Sequence, residues 1–328
     1  MLELHDNPSR RMALALGAGA ALTLAFPARA AFPDKPVTVI VPFPPGGPND
    51  VVGRLTAQTL TEALGAQAIV ENRAGAGGAT GVGSTARSEP DGYTTVLATG
   101  VGWVTHPMLT KSPSFRTEDL RPVCNVTGGP SVLAVRKDLP AKTLEELIAL
   151  AKAKPGELTY ASSGVGTTLH LGGELFKSVA GLDIIHVPYK GTSEVLVDLL
   201  AGRVDISFIS PLVARKLVDD GRLRALATTG TKRMKGWDDT PTVAEAGAPG
   251  YVLDSWYPLL APAGTPDEVV SRLNQAVAAG VKAPEAAHRL EGLGFIAIGS
   301  SVAEAEAYQR AETEKWTKLI RDAKLQAD

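Results

Sequence analysis

From Phe32 onward short apolar runs alternate with amphipathic stretches, and that alternation leaves few folds open. Residues 37–43 (VTVIVPF) read as a buried strand. Residues 50–64 read as a helix, with Val51, Val52, Leu55, Ala63 and Leu64 near helical spacing. Further strands are expected at 68–71, 94–98, 133–135, 158–161, 184–187, 205–209 and 223–227, and helices at 143–153, 167–179 and 193–201. A helix between two strands carries the chain back across a sheet, which favours parallel pairing. The expected class is therefore α/β, with open, mixed, mostly parallel sheets. After Leu260 the pattern turns helical and no clear strand is expected.

Three helix starts carry a capping-box spacing: Thr143 with Glu146, Thr265 with Glu268 and Ser301 with Glu304. In each the hydroxyl caps a free backbone N–H and the glutamate reaches back. A chain of 328 residues suggests two domains. Breaks at 128–130 and 248–250 are the candidate crossings between them. They divide the chain into a discontinuous first lobe, 32–130 plus 251–328, and a second lobe, 131–250.

The first 30 residues read as a secretory signal: Arg10 and Arg11, an uncharged run over 12–26, then Ala28-Arg29-Ala30 as the cleavage site. The run is shorter than the roughly 20 residues a membrane span requires. The arginine pair hints at twin-arginine export, and the residues after it match that route only loosely. A periplasmic protein is expected. The formal net charge is -2 and no basic stripe stands out, so nucleic acid is not an expected partner. Cys124 is the single cysteine, which excludes an intramolecular disulfide, and it reads as a small buried residue.

In open α/β sheets ligands lie beyond the carboxyl ends of the strands. The first strand is followed by a proline- and glycine-rich loop, 42–50, and then a helix. Adjacent glycines let backbone amides face a ligand closely, and a helix start favours an anion. A second loop of this kind, 160–170, adds the hydroxyls of Ser162, Ser163, Thr167 and Thr168. The two loops fall on different lobes, so they can face each other across a cleft. His170 reads equally as a packing residue, and Asp205 as a structural acceptor. If the glycine amides hold the anion, valine at Gly46 or Gly166 blocks it, whereas Gly47→Ala is milder. The run at 73–80 approaches a dinucleotide fingerprint and departs from it at Thr80. The chain has no phosphate loop, metal-ligand spacing or nucleophile elbow. No cofactor or metal is expected.

These segments occur together in one order: VPFPPGGPND ending at Asp50, VENR ending at Arg73, DGY ending at Tyr93, SGVGT ending at Thr167 with Leu169-His170, HVPYKG ending at Gly191, GRVD ending at Asp205, PTVAEAG ending at Gly247, and APAGTP ending at Pro266. In this the chain resembles the Bug-type extracytoplasmic receptors of tripartite tricarboxylate transporters, over nearly all of 32–328. The resemblance implies a two-lobed Venus-flytrap fold of the type II periplasmic-binding-protein class. It implies no catalysis, and capture of a small organic carboxylate for delivery to integral-membrane transporter subunits. Carried over by position, the ligand-binding residues are Phe43, Gly46, Gly47 and Asp50 in the first loop and Ser162, Ser163, Gly166, Thr167 and His170 in the second, with Tyr189 and Asp205 as weaker carry-overs. Trp103, where smaller residues are usual, is expected to narrow the cleft or stack on a ring. A monomer is expected because the lobes must move. The competing readings are a ligand sensor for a membrane signalling receptor and a periplasmic hydrolase using Ser163 and His170.

Overall fold

A computed structural model describes residues 32–322, and the expected signal segment lies outside the described residues. Residues from Lys35 onward form one body. Its strands and helices alternate as β1 (Val37–Val41), α1 (Pro48–Leu64), β2 (Ala68–Asn72), α2 (Ala79–Ala86), β3 (Thr94–Leu97) and α3 (Gly100–Leu109). Two strands follow directly, β4 (Leu120–Pro130) and β5 (Val132–Arg136). Then come α4 (Leu144–Ala153), β6 (Thr159–Ser162), α5 (Thr168–Ala180), β7 (Ile185–Pro188), α6 (Thr192–Leu200), β8 (Ile206–Ile209), α7 (Pro211–Asp219) and β9 (Leu223–Thr228). The chain ends with β10 (Asp254–Pro262), α8 (Asp267–Lys282), α9 (Pro284–Gly292), β11 (Ile296–Ala297) and α10 (Val302–Asp322).

The strands build two sheets, ordered β11-β4-β10-β3-β1-β2 and β7-β6-β8-β5-β9. Within the first, β1 lies parallel between β2 and β3. Within the second, β6 lies parallel between β7 and β8. The antiparallel pairs all involve β4, β5 or β10. The sheets are mixed, as expected, but not mostly parallel: among the described residues five strand pairs are antiparallel and four parallel. The difference comes from three strands with no helix between them and a parallel neighbour.

Residues 128–130, expected as a break, instead close the 11-residue strand β4, and the chain passes from one sheet to the other at Ser131 alone. The return passage follows the expected crossing at 248–250 and runs through Leu253 into β10. The sequence reading missed the helices α2, α3 and α7 and the strands β4, β10 and β11. The apolar residues of β4 and β10 are interrupted by Pro122, Gly128, Gly129 and Pro258, which read as turns when taken alone.

The two passages are tied side by side. Ser131 N–H donates to Thr229 Oγ1 (2.7 Å), and that hydroxyl donates to the Leu253 carbonyl (2.5 Å). Thr229 N–H bonds Ser131 O and Leu253 N–H bonds Thr229 O, both at 2.9 Å. Thr229 is fully buried, so one side chain satisfies polar groups on both crossings where water does not reach.

Ser301 and Glu304 form the reciprocal capping box, and Thr143 accepts from Glu146 N–H. At Thr265 the box does not form. The helix starts one residue later, at Asp267 after Pro266, and Thr265 Oγ1 is buried without a protein partner. Trp103 is buried in the core rather than in a cleft. Its indole N–H donates to Thr117 O (3.3 Å) and its ring packs 6.1 Å from Trp256. Gly100 makes room for that pair, since a Cβ there would fall 2.0 Å from the Trp256 ring. Cys124 is buried, which pushes its thiol up to about 12. Among the described residues no helix is long and apolar enough to cross a membrane.

The hinge tie is open to test. Thr229→Val keeps the shape and strands one buried N–H and one buried carbonyl, at a cost of about 2–3 kcal/mol. Thr229→Ser keeps the hydroxyl and recovers most of it. Urea denaturation of the three proteins measures both.

Candidate functional site

The parallel strands of both sheets end on one side of the molecule, and helices begin there. A cavity of about 160 Å³ lies among those helix starts. The six-stranded sheet contributes Phe43, Pro44, Gly47, Pro48 and Asn49 after β1 and Thr99 after β3. The five-stranded sheet contributes Ser163 and Thr167 after β6, Gly191 after β7 and Ser210 after β8. Ser131 and Ser255, whose hydroxyls lie 3.3 Å apart, close it at the crossing.

Five of these residues, Gly47, Thr99, Thr167, Gly191 and Ser210, are the N-caps of α1, α3, α5, α6 and α7. Only Thr167 caps its helix with its side chain. The others leave first-turn N–H groups without a side-chain acceptor, at the positive ends of the helix dipoles. No lysine or arginine lines the cavity. The one charged side chain in the lining is the Glu194 carboxylate, so attraction for a small anion has to come from the backbone amides of the helix starts.

The first loop is held rigid from behind. Asn72 Nδ2 donates to the Phe43 carbonyl and to Asp50 Oδ1, both at 3.0 Å. Asp50 also accepts from Gly46 N–H (3.0 Å) and from two nitrogens of Arg54. Burial by itself raises the Asp50 carboxyl, and the bonds from Arg54, Asn72 and Gly46 N–H outweigh it and hold the group below its usual range. Asp50 and Gly46 thus stabilise the loop from outside the cavity lining. Gly46 has φ +86°, the left-handed region that glycine adopts readily, whereas Gly47 has φ −84° and lines the cavity.

The second loop rests on a histidine pair, His170 buried and His186 partly buried. Gly166 N–H donates to His170 Nδ1 (3.2 Å), and the His170 ring lies 4.4 Å from that of His186. Ser162 Oγ meets His186 Nε2 at 2.6 Å. Burial takes His170 down to about 4 and His186 to about 3. The loop also meets the first sheet's helices, because Thr105 Oγ1 donates to Gly166 O (3.1 Å) and Gly77 leaves space beside Val165 O. That contact gives the glycine run at 75–78 a structural role.

Of the residues expected in the site, Phe43, Gly47, Ser163 and Thr167 line one cavity. Gly46, Asp50, Ser162, Gly166 and His170 support the two loops. Tyr189 does not line the cavity and donates to Asp198 (2.7 Å). Asp205 binds Arg136 and Thr159 at the start of β8, the opposite end from the cavity. Ser210, at the other end of that strand, lines it. The sequence reading missed Asn49, Thr99, Ser131, Gly191, Ser210, Ser255 and Tyr257. Thr99 and Ser210 were within reach, as possible N-caps directly after strands.

A family model described as the tripartite tricarboxylate transporter family receptor matches residues 52–325. The chain belongs to this family. BugT of Bordetella pertussis (strain Tohama I) is 35% identical over 296 residues, 89% of this chain and 90% of that one. Among solved structures, R. palustris Rpa4515 with adipate is 35% identical, with TM-score 0.86, over 90% of this chain and 99% of that one. MatC (Rpa3494) from Rhodopseudomonas palustris with bound malate is 29% identical, with TM-score 0.83, over 88% of this chain and 100% of that one. The periplasmic binding protein BugD is 31% identical, with TM-score 0.84, over 90% and 100%. The fold is accordingly the two-lobed periplasmic-binding-protein fold, and the family is one of solute receptors.

The histidine pair makes stability depend on pH. Both rings titrate from an ordinary value of 6.5 when unfolded but only near 4 and 3 when folded. Below pH 6.5 the unfolded chain binds protons that the folded chain refuses, so stability present above that pH is lost as pH falls through the folded values. His186→Gln removes one of the two groups. The drop in urea midpoint between pH 7 and pH 4 should shrink in that variant.

Proposed function

We propose that the protein captures a small organic carboxylate in the cavity between two lobes, 32–130 plus 251–328 and 131–250, and hands it to integral-membrane subunits of a tripartite transporter. It works in the periplasm as a monomer and catalyses nothing itself. One observation carries this reading: helix starts from both sheets converge on a single cavity lined by hydroxyls and amides, with no lysine or arginine and with one carboxylate, that of the exposed Glu194. Such a lining holds an anion through many modest hydrogen bonds, and it releases the anion when the lobes separate and those bonds are lost together. The relatives solved with adipate and malate support a carboxylate as the anion. Apolar walls from Phe43, Pro44, Pro48, Leu169 and Tyr257 fit a short carbon chain.

The geometry supports binding over hydrolysis. The serine that meets a histidine is Ser162, which is fully buried, and its partner His186 is held neutral by burial. Ser163 lines the cavity, whereas the nearby His170 accepts the Gly166 N–H and packs on His186.

Two measurements test the reading. The mature chain, stripped of co-purified ligand by unfolding and refolding, is screened by thermal shift against aliphatic, amino and aromatic carboxylates. A ligand at about 100 times its Kd adds about 2.7 kcal/mol, or roughly 2–4 °C for each kcal/mol. No shift with any carboxylate refutes the receptor reading. In the second, Gly47→Val places a branched side chain in the cavity at a backbone conformation that tolerates it. Affinity should fall by more than about tenfold with little change in the Tm of the free protein. Gly46→Val should mainly lower Tm, because the strain is in the loop backbone.

A further inference from the structure

Two side chains of the cavity are placed in a way that the free protein does not use. Asn49 is 6% exposed and Ser210 is 9% exposed, and both line the cavity. Asn49 Nδ2 and Ser210 Oγ are buried and have no protein hydrogen-bond partner. A buried polar group in this condition costs stability, and such groups are uncommon in folded proteins.

Each also departs from what its helix would favour. Asn49 is in the first turn of α1, where an acceptor or an anion is stabilising and a further N–H donor gains nothing from the helix. Asp50, next in the chain, does offer acceptors, and they are taken by Gly46, Arg54 and Asn72. Ser210 is the N-cap of α7, a position where a serine hydroxyl normally accepts a first-turn N–H, yet it makes no side-chain cap bond. The Val213 N–H, which a side-chain cap would take, bonds instead to the Ser210 backbone carbonyl at 3.0 Å. Local departures of this kind are expected where a residue is kept for a ligand.

The two residues follow β1 and β8, strands of different sheets. We propose that Asn49 and Ser210 are specificity-determining residues of the receptor: one ligand meets both through its oxygens, and so links the two sheets across the cavity. This inference rests on the carboxylate reading above. It selects within that class. One carboxylate offers about four lone-pair sites, and the N–H groups of several helix starts already compete for them. Asn49 and Ser210 therefore favour an acid with a second oxygen function over a simple alkanoate.

Adipate and hexanoate are a matched pair for the test, with the same carbon count and differing by one carboxylate. Calorimetry and thermal shift are run on the wild type, Asn49→Leu, Asn49→Asp and Ser210→Ala, with malate as a third probe. The wild type should bind adipate or malate at least about tenfold more tightly than hexanoate. Asn49→Leu and Ser210→Ala should each reduce that preference several-fold while the Tm of the free protein stays level or rises, because an unsatisfied group has been removed. Asn49→Asp should fold well, as an acid in a first helical turn, and lose more affinity than Asn49→Leu because it sets a carboxylate against the anion.

The inference is overturned if both neutral variants keep the wild-type preference, or if Asn49→Asp binds as the wild type does. It is equally overturned if Asn49→Leu and Ser210→Ala lower the Tm of the free protein without changing the preference, which would make the two side chains structural. If the wild type itself binds none of the probes nor any acid in the wider screen, the carboxylate reading fails and this inference with it. That outcome shows in the wild type alone and is distinct from variants that match a binding wild type.

Discussion

The site depends on one geometric constraint, that parallel strands in each sheet bring the following helices in at the same edge. With β1, β2 and β3 parallel in one sheet and β6, β7 and β8 parallel in the other, first-turn N–H groups collect on one side. Each helix start carries a partial positive charge of about half an elementary unit. Several such ends around a small volume can attract an anion without a buried lysine or arginine. A buried cation would cost desolvation whenever the ligand left. Backbone amides are neutral, so the same cavity tolerates both states.

That arrangement is useful only if the loops keep their shape and the lobes share one axis. The first loop is braced by Asp50, a carboxylate close to an anion site. Its charge is taken up by Arg54, Asn72 and Gly46 N–H, leaving little of it to repel a ligand. The second is braced by neutral histidines, which add no charge of their own. The two passages at Ser131 and Leu253 are held together by Thr229 close to the cavity. Ser131 and Ser255 lie both beside that tie and on the cavity wall.

Local sequence was enough for the α/β class, the order of most strands and helices before Leu260, and the two glycine-rich loops that meet at the cavity. The reason is local: apolar runs, helix-start residues and glycines act over a few residues and leave their pattern in the chain. Phe43 came only with the family resemblance, whereas Gly47, Ser163 and Thr167, which line the cavity, were legible this way. The long strands β4 and β10 were not, because Pro122, Gly128, Gly129 and Pro258 carry turn signals that pairing between strands more than a hundred residues apart overrides.

Only the tertiary structure decided which end of each strand faces the cavity and which polar groups find partners. Asp205 and Ser210 flank the same strand β8, and strand direction alone sends the first to a structural ion pair and the second to the cavity wall. Gly46 and Gly47 are neighbours with the same side chain, and one backbone angle separates a residue that shapes the loop from one that lines the cavity. Trp103, which reads as a cleft residue from its place after a strand, is covered by Trp256 from a strand far along the chain. Burial and hydrogen-bond satisfaction are sums over neighbours that the fold brings together, and local sequence does not contain them.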